Sequence, residues 1–155
     1  MITTPPLKND LFASTWRINS TAAKAALCLL AQLRPRSFLT GAEVDLGTVL
    51  SSYNARQFHH IYPKGYLSSI GVSFHEANII ANICFLSASE NNAISDSPPE
   101  KYFKDIPSEH KNEILDVALI PHKARSGLLS FDEFIKLRTE KLVEVAQNLI
   151  EKGHI

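Results

Sequence analysis

The pattern that most limits the fold lies near the C-terminal end. Ser130-Phe131-Asp132-Glu133 has the form of a capping box, in which a serine oxygen accepts an amide three residues on and the glutamate reaches back. Behind it Phe131, Phe134, Ile135, Leu142, Val145 and Leu149 recur at helical spacing, and Gly153 stands where a helix terminator is wanted. The spacing predicts one long helix from Phe131 to about Lys152, with an apolar stripe that the rest of the chain has to cover. A chain of 155 residues, 45% of them hydrophobic, can do so within one domain and without a disulfide or metal staple.

The other expected elements are shorter. Residues 1–14, with Pro5 and Pro6, read as a flexible N-terminal arm. Ser20 caps a helical run that carries Ala23, Ala26, Leu27 and Leu30 inward and ends before Pro35. A short helix falls around Val44 to Leu50. RQFHHIY is aromatic and β-branched enough for a strand stopped by Pro63, and ICFL, from Ile83 to Leu86, is its candidate partner. Lys64 to Ile70 suggests a helical turn closed by Gly71. Ser97-Pro98-Pro99-Glu100 reads as a second capping box opening a helix through Phe103, and Ser108 as the cap of another that ends before Pro121. Trp16, Phe103 and Phe131 read as core. The expected class is α+β: two short strands joined by a loop of about twenty residues, surrounded by helices. Loops that long in small domains usually carry function.

Several classes are excluded. No apolar run approaches the roughly 18 to 20 residues of a membrane span, and MITTPPLKND does not read as a secretory signal. Cys28 and Cys84 stand far apart among apolar neighbours, as reduced, buried cysteines of a cytoplasmic protein would. No CxxC pair exists for a zinc ribbon. Sixteen basic residues balance sixteen acidic ones, yet the balance is uneven. Residues 1–72 hold seven basic and three acidic side chains; residues 73–155 hold nine and thirteen. The basic part contains the histidine pair.

His59 and His60 are adjacent at the end of the first strand. Neighbours in a regular strand point to opposite faces, so both reach one site only where the strand bends or ends. Read alone, the pair is one packed and one solvated histidine. Asn82 before the second strand and Asn91 nine residues later add a second cluster. Asparagine serves equally as cap, turn former and neutral oxygen ligand.

The segments FHHIYPKGYL and NICFLSASENNAISDSPPEKYF together resemble the HNH, or His-Me finger, nuclease signature. More narrowly, they are similar to the HNH domain at the C-terminal end of bacterial proteins with a ParB-like nucleotide-dependent N-terminal half, some of them restriction systems acting on modified phage DNA. The leading helix, the aromatic before HHI, the PKxYL tail, the PPxxYF helix and the final FxxFIxxR helix extend the likeness over residues 15 to 150 or so. The resemblance implies a small ββα-metal motif embedded in a mainly helical domain, with a finger core at about 56–105 and C-terminal helices at 106–152. It implies His60 as general base, His59 (at a position usually aspartate) and Asn91 as metal ligands, and Asn82 as the middle residue that pins the loop and helps orient the base. DNA and a ParB-like domain or subunit are the implied partners.

The chemistry is consistent with those roles. Phosphodiester hydrolysis needs a proton acceptor near neutral pH, which histidine provides, and a cation against the developing phosphate charge. A histidine and an asparagine are sparse, neutral ligands, so Mg²⁺ or Mn²⁺, with Ni²⁺ as a further option, would complete its shell with water and phosphate. No organic cofactor is implied.

Three cations complete the candidates. Arg138 falls on the apolar stripe of the last helix, either snorkelling or paired with a buried acid, or else binding phosphate or bracing the site. Lys64 and Arg56 flank the histidines, as solvated side chains or as contacts to the DNA backbone. Tyr66 packs beneath its loop or meets the backbone. His75, His110, His122 and His154 read as surface or capping residues. The rival readings are a non-catalytic DNA-binding or docking module and a structural helical accessory domain.

Overall fold

The computed structural model describes residues 6–8, 10–51 and 58–153. The class is α+β: eight α-helices and one two-stranded antiparallel sheet among those residues. The strands β1 (Phe58–His60) and β2 (Ile83–Phe85) pair with His59 opposite Cys84 and His60 opposite Ile83. The first strand ends at His60, the condition under which both histidines can face one site.

The long C-terminal helix forms as its signals require. Helix α8 (Phe131–Lys152) carries the full capping box between Ser130 and Glu133, and Gly153 closes it at φ 71°, in the left-handed region. Its stripe joins two apolar clusters. Phe131 and Phe134 pack with Phe38, Ile61, Tyr62 and Ile114; Leu142 and Val145 pack with Phe12, Leu30, Ile80 and Phe85. Strand β2 is buried on both faces, because alternation sends Cys84 to the first cluster and Phe85 to the second. The last helix therefore belongs to the same core as the strands and is not an appended piece.

Helix α1 (Thr21–Gln32) is capped by Ser20, which accepts from the Ala23 amide, and α2 (Leu46–Leu50) by Asp45. The segment between the strands is more ordered than a loop. It contains α3 (Lys64–Ser69), α4 (Phe74–Ala77) and a 3₁₀ turn at Ile80–Asn82. Helix α5 (Ala88–Ile94) follows β2 directly and opens on a box between Ser87 and Glu90. Helices α6 (Pro99–Tyr102) and α7 (Lys111–Val117) complete the set.

Four expectations need correction. Ser97 does not cap α6: Pro98 is the cap, at ψ 154°, because a residue before proline is held extended and the helix cannot begin until Pro99. Ser108 does not cap α7; the turn from Pro107 to His110 absorbs it, and His110 is the cap. Cys28 is exposed, since the buried face of α1 runs through Ala23, Ala26, Leu29 and Leu30. The arm is not loose as far as residue 14: Phe12 is buried in the second cluster, and the Leu7 amide donates to Gln147 Oε1 at 3.0 Å. Phe103 and Phe131 are core as expected, whereas Trp16 is half-buried and packs on Phe58 at 5.3 Å. No helix among the described residues is long and apolar enough to cross a membrane.

Candidate functional site

Side chains from β1, the connecting segment and α5 converge on one cleft of about 490 Å³. His59, His60, Lys64, Asn78, Asn91 and Asp96 all line it. The backbone makes this possible at three points. Strand β1 stops at His60. The Ser87–Glu90 box fixes the start of α5, and the buried Glu90 carboxylate also accepts from Ser37 Oγ at 2.7 Å. That anchorage holds Asn91, one residue on, against the end of the hairpin.

His59 is 3% exposed, and its Nδ1 is in direct contact with Asn91 Oδ1. Either Nδ1 carries the proton and donates to Oδ1, or the proton sits on Nε2 and two lone pairs face each other, an arrangement that a shared cation stabilises. Nε2 is buried with no hydrogen-bond partner. Burial holds the His59 pKa below the ordinary imidazole value, against the opposing bond to Asn91, so the ring keeps a lone pair for coordination. The pair could offer a divalent ion one ring nitrogen and one amide oxygen, and it lacks the outer hydrogen bond that usually raises the basicity of a ligating histidine.

His60 is positioned by Asn78. Asn78 Nδ2 donates to the Trp16 carbonyl at 3.2 Å, which turns its Oδ1 toward His60 Nε2 at 3.0 Å. The imidazole therefore carries its proton on Nε2 and keeps the lone pair on Nδ1. Its pKa is pushed down to about 4, chiefly by burial, with the bond to Asn78 opposing and the Lys64 charge assisting. At neutral pH the ring is unprotonated and able to accept a proton.

Asn82 is fully buried, and its side chain hydrogen-bonds to neither imidazole. Its Oδ1 accepts from the Tyr62 amide at 2.9 Å, and its Nδ2 donates to the carbonyls of Tyr62 and Ala77, both at 3.0 Å. It pins the chain just beyond His60, a positioning role; the side chain that orients the His60 ring is Asn78. The bonds fit the loop-pinning expected of Asn82, while the expectation that it also orients the histidine is corrected: the hydrogen-bond partner of the His60 ring is Asn78.

Arg138 is corrected as a substrate contact. It is 0% exposed, and its guanidinium donates to the carbonyls of Ala81 at 2.5 Å, Ile83 at 2.8 Å and Ala118 at 3.0 Å. Burial lowers its pKa to about 10, which leaves it charged at neutral pH and compensated by backbone dipoles. It braces the segment on either side of Asn82 and has no path to a phosphate. Lys64 is exposed at the cleft, with Nζ 4.9 Å from the centre of the Phe74 ring. Tyr66 is half-buried and packs on Tyr62. Arg56 and His154 lie outside the described residues. His75, His110 and His122 are exposed and line none of this cleft.

Asn78 and Asp96 are the residues that sequence reasoning missed. Asn78 had one signal, as the residue closing α4 after a Ser73–Glu76 capping box; Asp96 had none. A larger groove of about 630 Å³ lies between Ile70–Val72 and α8, but no histidine lines it. Among the described residues, no three His, Cys, Asp or Glu side chains gather on one point. Comparison with family models, with curated proteins and with solved structures finds no match to this chain.

Proposed function

We propose that the chain is a metal-dependent endonuclease domain that hydrolyses DNA phosphodiester bonds, built as a ββα-metal finger from β1, β2 and α5. The observation that carries this reading is the convergence of two adjacent histidines and two asparagines on one cleft. Their arrangement separates a proton-accepting imidazole from a ligand pair.

In this reading His60 Nδ1 takes a proton from the water that attacks phosphorus, while Asn78 holds the ring in the required tautomer. His59 and Asn91 would hold a divalent ion, which when bound would supply positive charge against the phosphate and the departing sugar oxygen. Lys64 contributes a cation for the DNA backbone at the rim. Asn82 and Arg138 keep the backbone under the histidines in register. Because His59 brings no negative charge, Mg²⁺ would bind more weakly than at a site with aspartate in that position, and Mn²⁺ or Ni²⁺, which suit imidazole, would support the reaction better. The cytoplasmic restriction or defence setting and the ParB-like partner rest on the resemblance of the FHHIYPKGYL and SENN segments.

Plasmid nicking with Mg²⁺, Mn²⁺ or Ni²⁺, run beside His60→Ala, tests the proposal. Metal-dependent nicking that the substitution abolishes is the expected result. Equal background from both proteins defeats the nuclease reading; retained DNA binding without cleavage would then favour a docking module, and neither activity a structural one.

A further inference from the structure

The ligand pair His59 and Asn91 carries no charge, yet the cleft it lines contains one carboxylate, that of Asp96. Three observations bear on this residue. First, Asp96 is exposed and makes no hydrogen bond or ion pair among the described residues, so its charge is uncommitted. Second, the chain is turned at Ser95, just after α5, with φ 50° and ψ −127°. A side-chain-bearing residue rarely adopts that conformation, and it is a local cost that the surrounding structure sustains. Third, the carboxylate rests on the backbone of Gly65. A Cβ at position 65 would lie 2.2 Å from Asp96 Cγ and 2.2 to 2.4 Å from its oxygens. Glycine there, next to the cleft-lining Lys64, leaves the space that the carboxylate fills.

A fourth observation concerns what shares the cleft with it. His59 and Asn91 line the same cleft, with His59 Nδ1 against Asn91 Oδ1, so the pair offers one ring nitrogen and one amide oxygen and no negative charge. A neutral imidazole and a neutral amide are a poor donor set for a hard divalent cation, which favours anionic oxygen.

We infer that Asp96 is an additional ligand for the divalent ion, acting directly or through a bound water, and that it supplies from the end of α5 the negative charge His59 does not provide from β1. This rests on the metal-dependent reading of the cleft. It also bears on the ion preference: Asp96 supports what Mg²⁺ affinity the site has, and without it selectivity moves further toward ions that favour nitrogen.

The test is metal binding by the full chain without DNA. Mn²⁺ is titrated by calorimetry and Mg²⁺ and Ni²⁺ are measured by competition, with thermal unfolding recorded for each protein. Asp96→Asn is expected to weaken Mn²⁺ binding about 10- to 100-fold and Mg²⁺ binding more than Ni²⁺ binding. Gly65→Ala is the independent variant. Its methyl displaces the carboxylate while alanine is a better helix former than glycine, so it should reproduce the loss with no fall in Tm. If both variants bind Mn²⁺ as the unsubstituted protein does while His59→Ala loses it, Asp96 is not a ligand and the metal-dependent reading stands. If the unsubstituted chain binds no Mn²⁺ at millimolar concentration, both fall together.

Discussion

His60 and Asn78 show how much chemistry one hydrogen bond can decide. The Trp16 carbonyl commits the Asn78 amide nitrogen, that commitment orients its oxygen, and the oxygen selects the tautomer that leaves Nδ1 as the free acceptor. The burial that keeps His60 unprotonated also ties stability to pH. Its folded pKa of about 4 lies below the ordinary 6.5, so between those values the unfolded chain binds a proton that the folded chain refuses. The contribution is present in full above pH 6.5 and lost as pH falls toward 4, and it amounts to about 3 kcal/mol. His59, depressed in the same direction, adds to the loss. Urea midpoints between pH 7 and 4.5 should fall accordingly, and His60→Gln should flatten the dependence. A stability that does not change over that range would mean the ring is not held neutral by the fold.

Among the elements, α8 and α5 do different work. Helix α8 unites the two apolar clusters and, through Arg138, reaches across to hold both sides of Asn82. Removing that guanidinium leaves the carbonyls of Ala81, Ile83 and Ala118 without a donor in a dry interior. Arg138→Ala is therefore expected to cost at least about 3 kcal/mol, and Arg138→Lys to recover little, because one ammonium cannot reproduce a planar fork that reaches three carbonyls. Equilibrium unfolding measures both. A phosphate contact would instead weaken DNA binding and leave the unfolding midpoint in place. Helix α5 is short and depends on its box: Glu90 satisfies the Ser87 amide and Ser37 together, and the next residue presents Asn91 to His59. The long helix was readable in advance because cap, stripe and terminator agree over 22 residues. The short helices α6 and α7 were less so, because few hydrogen bonds separate a cap from an adjacent turn and a proline can move the start by a residue.

For the whole molecule, the uneven charge translates into less free basic surface than a residue count suggests. Arg34 is paired with Glu43 at 2.7 Å, and Arg36 reaches Glu113 at 2.8 Å from the acidic part of the chain. Among the described residues, Lys64 is the cation that lines the cleft. On the proposed nuclease reading, a domain with this surface is expected to neutralise about two or three phosphates, giving a slope of roughly −2 to −3 for log affinity against log salt. Fluorescence anisotropy with labelled duplex DNA over a range of NaCl concentrations measures it. A slope steeper than about −5 would require a basic face that the described residues do not provide.

The sequence by itself determined the α+β class, the long terminal helix, the place of both strands and the histidine–asparagine pattern, because these follow from local periodicity, capping chemistry and spacing along the chain. Tertiary structure decided which of these residues meet. Arg138 could serve phosphate or backbone until burial placed it among three carbonyls. Asn82 and Asn78 are chemically alike and four positions apart, yet the first pins Tyr62 and the second orients His60. Asp96 belongs to no motif and enters the cleft only because the chain turns at Ser95 onto a glycine thirty-one positions earlier. Such pairings depend on contacts between segments distant in sequence, and local propensity carries no information about them.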